Sequence, residues 1–157
     1  RAPVFAHEAL ECLGGAGYVE EAPMARLFRE SPLNGIWEGS GNVICLDVLR
    51  AAARDPESVA ALLDEIALAR GADSRLDRAI DDLLAELADQ SDVELRARRI
   101  VERAALVLQG SLLVRHGPEA VADAFCATRL GGDGGRAFGT LPPTSAIDAI
   151  LERAWPR

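Results

Sequence analysis

The chain has 157 residues and a formal net charge of −8, with 49% hydrophobic and 4% aromatic residues. This length allows one well-buried core, or a small domain together with part of a larger one. The negative charge opposes nonspecific attraction to polyanions such as nucleic acids or an anionic membrane surface. No apolar run reaches the roughly 20 residues that a transmembrane helix needs, so the sequence predicts no membrane span.

The 3 cysteines are far apart in the sequence, without a CxxC pair and without clustered histidines. This spacing predicts neither a disulfide framework nor a metal site, and it favours a reducing, cytoplasmic location. The chain begins without methionine and already inside an apolar pattern, from which we expect the C-terminal portion of a longer protein.

Helical periodicity dominates the sequence and β-type alternation is nearly absent, which predicts an all-α fold. A first helix is expected over residues 4–13, ending where Gly14 and Gly15 supply a left-handed cap. A short helix over residues 23–29 begins with a proline in its first turn and ends at Ser31 and Pro32.

An irregular segment over residues 33–39 leads into an apolar helix that begins at Ser40 or Gly41 and ends near residue 54. Asp55 and Pro56 then form a strong helix start, because they combine a capping side chain with proline at the first helical position. We therefore divide the chain into a first domain, residues 1–54, and an appended helical domain, residues 55–157.

The appended domain is expected to be a helical bundle. The helix that starts after Asp55 ends at Gly71, and Asp73 caps the next one. A glycine loop is expected over residues 131–139. The remaining helices are predicted over residues 92–116, whose middle is apolar nearly all round and should be buried, and over residues 118–130 and 145–154.

The stretch GGAGY, residues 14–18, leaves the first helix as a glycine turn. Glycines let a backbone approach a ligand closely, and exposed amides in such a turn can hold a phosphate. A helix-capping turn without a ligand is the alternative.

Glu38 lies between Trp37 and Gly39, just ahead of a helix start. A carboxylate set in an apolar wall suits a general base that removes a proton from carbon, and glycine after it lets a substrate approach the backbone. The alternative is an exposed loop acid near a helix N-terminus, where negative charge is mildly stabilising.

The order and spacing of these features resemble the C-terminal signature of the acyl-CoA dehydrogenase family. The resemblance covers Glu11, the GGAGY turn, Glu21, Arg26 and Glu30, followed by IWEGS at residues 36–40, which is similar to the family's catalytic segment. Residues 41–50, with VADAFCATRLGG and AFGTLPP downstream, resemble more narrowly the AidB-like branch, whose members carry an appended helical domain.

The resemblance implies an FAD-dependent enzyme that converts an acyl-CoA thioester into a 2-enoyl-CoA. Glu38 would take the α-proton while its backbone amide polarises the thioester carbonyl, and the β-hydride would leave to the flavin. Trp37, which replaces the family's tyrosine, and Gly39 would contact the substrate. The chain by itself would be inactive. The acyl chain length and the electron acceptor are not indicated.

The family's cofactor contacts are implied for five further residues of this chain. In a homotetramer, Gly14 and Gly15 would lie against the FAD pyrophosphate of a neighbouring subunit, whereas Ser40 and Asn42 would face the flavin that Glu38 serves. Glu11 stands where the family usually has glutamine. An anion is unfavourable beside a pyrophosphate, unless it bonds a ribose hydroxyl instead.

Two other readings stay open. The AidB-like branch is associated with duplex DNA through the appended domain, and Arg96, Arg99 and Arg103 fall on one helical face where they could bind it. Such a flavoprotein would bind or protect DNA with little dehydrogenase turnover. Alternatively, the arginines face solvent or neighbouring subunits. The last reading is a helical oligomerisation module whose glycine turns merely shape the fold.

Overall fold

A computed structural model describes residues 1–156. The predicted all-α class is confirmed, because these residues form helices and no strand. The elements are α1 (Ala2–Cys12), α2 (Gly15–Tyr18), α3 (Pro23–Glu30), a 3₁₀ helix (Ser31–Gly35), α4 (Gly41–Arg54), α5 (Pro56–Ala67), α6 (Ser74–Ala88), α7 (Ala97–His116), α8 (Glu119–Phe125), a π-helical turn (Cys126–Leu130) and α9 (Ile147–Ala154).

The chain divides into two compact units, and the boundary falls inside α4. The first unit is Arg1–Ile44 and the second begins at Cys45. The boundary predicted at residue 54 separates the family domain from the appended domain, whereas the two observed units are defined by compactness. The predicted boundary therefore stays a prediction.

In the first unit, α1 packs against α3 and against the 3₁₀ helix, while the short α2 contacts both α1 and α3. Gly17 is buried where α2 meets α1, and a Cβ atom at this position would lie 2.4 Å from the carbonyl oxygen of Leu10. Glycine is therefore required for the close approach of these two helices.

Replacing Gly17 by alanine is expected to lower the free energy of unfolding by about 1–3 kcal/mol, because the added methyl group overlaps a backbone atom that cannot move alone. Gly15→Ala is the matched control in the same helix, since a Cβ atom there meets nothing within 4 Å. Urea unfolding followed by circular dichroism measures both variants. Equal stabilities would contradict the packing role of Gly17.

In the second unit, α7 packs against α5, α6 and α8. Cys126 belongs to the core and is fully buried, and this burial raises the pKa of its thiol to about 11, so the thiol stays protonated. The buried residues that form the core are Ile66, Ala69, Leu76, Ile80, Leu83, Val107 and Cys126.

Two predicted helix starts in the second unit are confirmed by their capping bonds. The Asp55 carboxylate accepts a hydrogen bond of 3.3 Å from the Ser58 amide at the start of α5. The Asp73 carboxylate accepts one of 2.8 Å from the Arg75 amide at the start of α6. Such side chains satisfy amides that the helix itself leaves unpaired.

Asp73 makes the stability of this unit depend on pH. The Arg75 guanidinium beside it holds the pKa of the Asp73 carboxyl below its usual range. Because the pKa is lower in the folded state, the carboxylate stabilises the fold fully above about pH 4, and this contribution is lost as the pH falls through the folded pKa.

Asp73→Asn is therefore expected to cost stability at neutral pH, with a difference from the parent that shrinks on acidification. Unfolding free energies of parent and variant between neutral and strongly acidic pH measure this. A difference that stays constant over the whole range would show that the charge of Asp73 does not contribute.

The predicted start of the long helix at Asp92 is wrong, since α7 begins at Ala97. Asp92 has a φ of 46°, which a right-handed helix does not allow, and Arg96 holds the preceding turn by donating to the carbonyl oxygens of Asp89 and Ser91. The middle of α7 is also less buried than predicted, because Leu112 is exposed.

Three other predicted ends shift by a few residues. The helix expected to end at Gly71 ends at Ala67, and the last helix begins at Ile147 rather than at 145. The segment expected to be irregular from residue 33 begins instead with the 3₁₀ helix Ser31–Gly35. Ends of this kind depend on single hydrogen bonds and vary most.

Candidate functional site

The glycine turn follows directly from the end of α1. Gly14 has a φ of 56°, which glycine adopts readily, but its ψ of −138° lies outside the left-handed helical conformation of the predicted cap. Its amide donates a hydrogen bond of 3.0 Å to the Glu11 carbonyl oxygen. Gly14 and Gly15 are exposed, and a Cβ atom at either position would meet no atom within 4 Å. The backbone of these two residues is therefore open to a ligand.

Glu11 lies at the end of α1 beside two other polar side chains. Its carboxylate and the ligand atoms of His7 and Glu8 lie within 4.8 Å of one another. Glu11 and His7 are exposed. A surface cluster on one helix face is not in itself a metal centre, and we assign no metal to it. Its two carboxylates make the approach to the glycine turn locally acidic.

Glu38 lies in a tight turn between the 3₁₀ helix and α4. The Trp37 amide donates to the Leu33 carbonyl oxygen at 3.2 Å, and the Gly39 amide donates to the Ile36 carbonyl oxygen at 3.0 Å. Gly39 has a φ of 112°, a conformation that only glycine adopts readily. The backbone conformation of this turn therefore explains why glycine follows Glu38.

The side chain of Glu38 is exposed, and so is Trp37, of which 67% is accessible. Residues 1–156 do not enclose Glu38 in an apolar wall. Within this part of the chain, neither the carboxylate nor the backbone amide of Glu38 has a hydrogen-bond or ion-pair partner. One residue thus offers an unpaired proton acceptor and an unpaired proton donor to the same surroundings.

Ser40 and Asn42 lie at the start of α4, and both are exposed. The Ser40 carbonyl oxygen accepts a hydrogen bond of 3.0 Å from the Ile44 amide, which makes Ser40 the residue that caps this helix. Glu38, Ser40 and Asn42 are thus presented by one short exposed segment. The helix that ends beside Glu11, α1, also packs against the 3₁₀ helix that precedes Glu38.

Arg96, Arg99 and Arg103 share one face of the α7 region, but they surround an acid rather than an open surface. Glu86 of α6 has a side chain that is only 6% exposed. Arg99 Nε lies 3.0 Å from its Oε1 atom, Arg103 Nη1 lies 2.9 Å from its Oε2 atom, and Arg96 Nη1 lies 3.7 Å from Oε1.

Sequence reasoning missed Glu86 and Ser111. Glu86 comes three residues after Leu83, on the core-facing side of α6, and an acid in such a position is the signal that could have revealed it. Ser111 is fully buried in the apolar middle of α7, where its hydroxyl donates to the Ile66 carbonyl oxygen at 3.4 Å. Both residues connect helices of the second unit.

In the part of the chain that the structure describes, no helix is long and apolar enough to cross a membrane.

Comparison with known proteins gives matches to one family. Residues 2–53 match the family model described as the acyl-CoA dehydrogenase, C-terminal domain. Over 131 residues the chain is 37% identical to AidB of Escherichia coli (strain K12), a candidate acyl-CoA dehydrogenase; this covers 83% of the chain and 24% of AidB. Over 43 residues it is 49% identical to acyl-CoA dehydrogenase family member 11 of Caenorhabditis elegans, covering 27% of the chain and 7% of that protein. The matched part of the chain therefore covers about a quarter of the length of AidB and a smaller share of the second relative.

Proposed function

The chain belongs to the acyl-CoA dehydrogenase family, as a C-terminal portion of its AidB-like branch, and from this premise we propose that the full-length protein is an FAD-dependent acyl-CoA dehydrogenase. One observation carries the proposal. In the segment that resembles the family's catalytic segment, Glu38 is an exposed residue, and its carboxylate and backbone amide are unpaired within residues 1–156.

Glu38 acts at two positions of the acyl-CoA thioester. Its backbone amide donates to the thioester carbonyl oxygen and stabilises the negative charge that develops there, which acidifies the α-carbon. Its carboxylate accepts the α-proton. The electron pair released at the α-carbon forms the double bond of the 2-enoyl-CoA as a hydride leaves the β-carbon. FAD, when bound, supplies the acceptor for this hydride.

The residues that would hold FAD fit this cofactor with one exception. The open backbone at Gly14 and Gly15 suits a pyrophosphate, and the exposed Ser40 hydroxyl and Asn42 amide suit the polar atoms of the flavin. Glu11 does not suit a phosphate, because its carboxylate already lies beside that of Glu8. We assign Glu11 to a ribose hydroxyl, which can donate to a carboxylate.

Gly15→Asp tests the cofactor contact without depending on activity. We expect the full-length variant to retain at least tenfold less FAD than the parent, because a carboxylate would face the pyrophosphate across an open surface. The ratio of flavin to protein absorbance and the dissociation constant of FAD measure this loss.

Gly35→Asp is the matched control, since it adds the same charge at another glycine where a Cβ atom meets nothing within 4 Å. It should keep its FAD. Equal FAD content in Gly15→Asp and in the parent would remove the glycine turn from the cofactor site.

We further propose that the first unit is covered by other parts of a homotetrameric enzyme. Among the residues of its helices, only Gly17 and Ala25 are buried, so the unit has almost no core of its own. Its exposed large apolar residues are Val4, Phe5, Leu13, Tyr18, Val19, Leu27, Phe28, Leu33, Ile36, Trp37, Val43 and Ile44. A surface of this composition is typical of an interface.

We place the enzyme in the cytoplasm. All three cysteines are free, and Cys126 is buried as a thiol in the core of the second unit. Free cysteines are the rule in a reducing compartment.

A further inference from the structure

We define the arginine cluster as Arg96, Arg99 and Arg103. All three arginines form ion pairs with Glu86 in the second unit. We propose that Glu86 is an internal counter-anion that occupies the place a phosphate would take, so that the arginine cluster does not bind duplex DNA. This inference is independent of the proposed dehydrogenase function, because it involves neither flavin nor acyl-CoA.

Each oxygen of the Glu86 carboxylate faces its own guanidinium. Arg99 Nε is 3.0 Å from Oε1, and Arg103 Nη1 is 2.9 Å from Oε2. Both contacts are ion pairs rather than hydrogen bonds, and Oε2 has no hydrogen-bond partner in the described part of the chain. With its side chain 6% exposed, Glu86 interacts with both arginines in surroundings that screen charge less than water does.

A DNA phosphate would have to displace Glu86 from these partners. The carboxylate would then be left buried and without a counter-charge, which is strongly unfavourable. A phosphate on the surface gains less from each arginine than the buried carboxylate does, because exposed charges are screened by water and salt. The arginines therefore bind Glu86 more strongly than they would bind a DNA phosphate.

Arg96 also donates hydrogen bonds to backbone carbonyl oxygens. Its Nη2 atom donates to the Asp89 carbonyl oxygen at 2.6 Å and to the Ser91 carbonyl oxygen at 2.9 Å. Its Nε atom donates to Ser91 as well, at 3.1 Å. These bonds satisfy carbonyl groups just after the end of α6 and hold the turn before α7. Arg96 is therefore a structural residue of this turn.

The surface around the cluster carries acids as well as arginines. Asp82 and Glu102 line the same shallow depression of about 250 Å³ as Arg99, Arg103 and Arg129. Duplex DNA would meet these two acids together with the paired arginines. The net charge of −8 for the whole chain adds to the repulsion.

Glu86→Gln tests the proposal by removing the counter-anion from the full chain. We expect its affinity for a duplex DNA oligonucleotide at low salt to rise at least tenfold above that of the parent. The slope of log K against log salt should steepen by about 2, because Arg99 and Arg103 each become free for one phosphate. Fluorescence anisotropy over a salt series measures both quantities.

Asp82→Asn is the matched control, because it removes the same charge from an exposed position on the same helix, four residues away. Its gain in affinity should stay several-fold below that of Glu86→Gln. An equal gain in the two variants, or no gain in a folded Glu86→Gln protein, would overturn the proposal. Circular dichroism establishes that each variant is folded.

Arg99→Gln in the otherwise unchanged chain keeps the proposal testable if Glu86→Gln fails to fold. The Arg99 side chain is 68% exposed, and the buried Glu86 carboxylate keeps Arg96 and Arg103 as counter-charges in this variant, so we expect the variant to fold. The proposal predicts that the DNA affinity of this variant equals that of the parent, including the case in which neither binds. A tenfold loss relative to the parent would show that Arg99 contacts DNA and would contradict the proposal.

Discussion

Flavin reduction by acyl-CoA is expected to slow by about 10²- to 10⁴-fold when Glu38 is replaced by glutamine in the full-length protein. Glutamine has the same shape and keeps the backbone amide that polarises the thioester carbonyl, so only the ability to accept the α-proton is lost. Anaerobic stopped-flow absorbance of the flavin band measures the rate, and bound FAD should be unchanged.

The control for this variant is Glu57→Gln, which makes the same chemical change at an exposed acid in the first turn of α5. It should reduce its flavin within about twofold of the parent rate, since surface substitutions away from the site have small effects. A Glu38→Gln variant as fast as Glu57→Gln would exclude Glu38 as the base.

Truncating Leu83 to alanine is expected to lower the free energy of unfolding of the second unit by about 2–5 kcal/mol. Leu83 is fully buried in the core that α6 shares with α7. Its loss removes apolar contacts and leaves a cavity that the surrounding helices fill only in part. Because domains are stable by only about 5–15 kcal/mol, this is a large share of the total.

Leu95→Ala is the matched truncation at a leucine that is 87% exposed, in the turn before α7. It should change the unfolding free energy by no more than about 0.5 kcal/mol. Urea unfolding of both variants measures the difference. If Leu83→Ala cost as little as Leu95→Ala, the packing of α6 on α7 described here would be wrong.

Helix starts could be predicted from the sequence where the determining bond is local. Asp55 and Asp73 cap α5 and α6 through amides only two or three residues away, so residue type and spacing suffice to find them. The glycine turn at Gly14 is of the same kind, because a positive φ is a conformation that glycine itself adopts readily.

Features that depend on distant residues could not be predicted. The late start of α7 follows from Arg96 bonding to carbonyl groups after α6, a contact that periodicity does not contain. Gly17 is required because the Leu10 carbonyl oxygen of α1 would lie 2.4 Å from its Cβ atom, which is a matter of packing. The partner of the arginine cluster, Glu86, likewise comes from another helix.

For the candidate site, the sequence indicated the residue and the structure added its surroundings. The position of Glu38 between Trp37 and Gly39 suggested a base, and the resemblance to the family assigned the role. The left-handed φ of Gly39 and the unpaired amide of Glu38 within residues 1–156 emerged only from the fold. An apolar enclosure of Glu38 is not formed by this part of the chain, because Trp37 is exposed.

The most direct test is anaerobic mixing of the full-length protein with a panel of acyl-CoA thioesters of different chain length and branching, followed at the flavin band. We predict that at least one thioester bleaches the flavin, and that the Glu38→Gln variant stays oxidised with the same thioester although its FAD is bound. A flavin that dithionite reduces but that remains oxidised with every thioester of the panel would contradict the proposed dehydrogenase function.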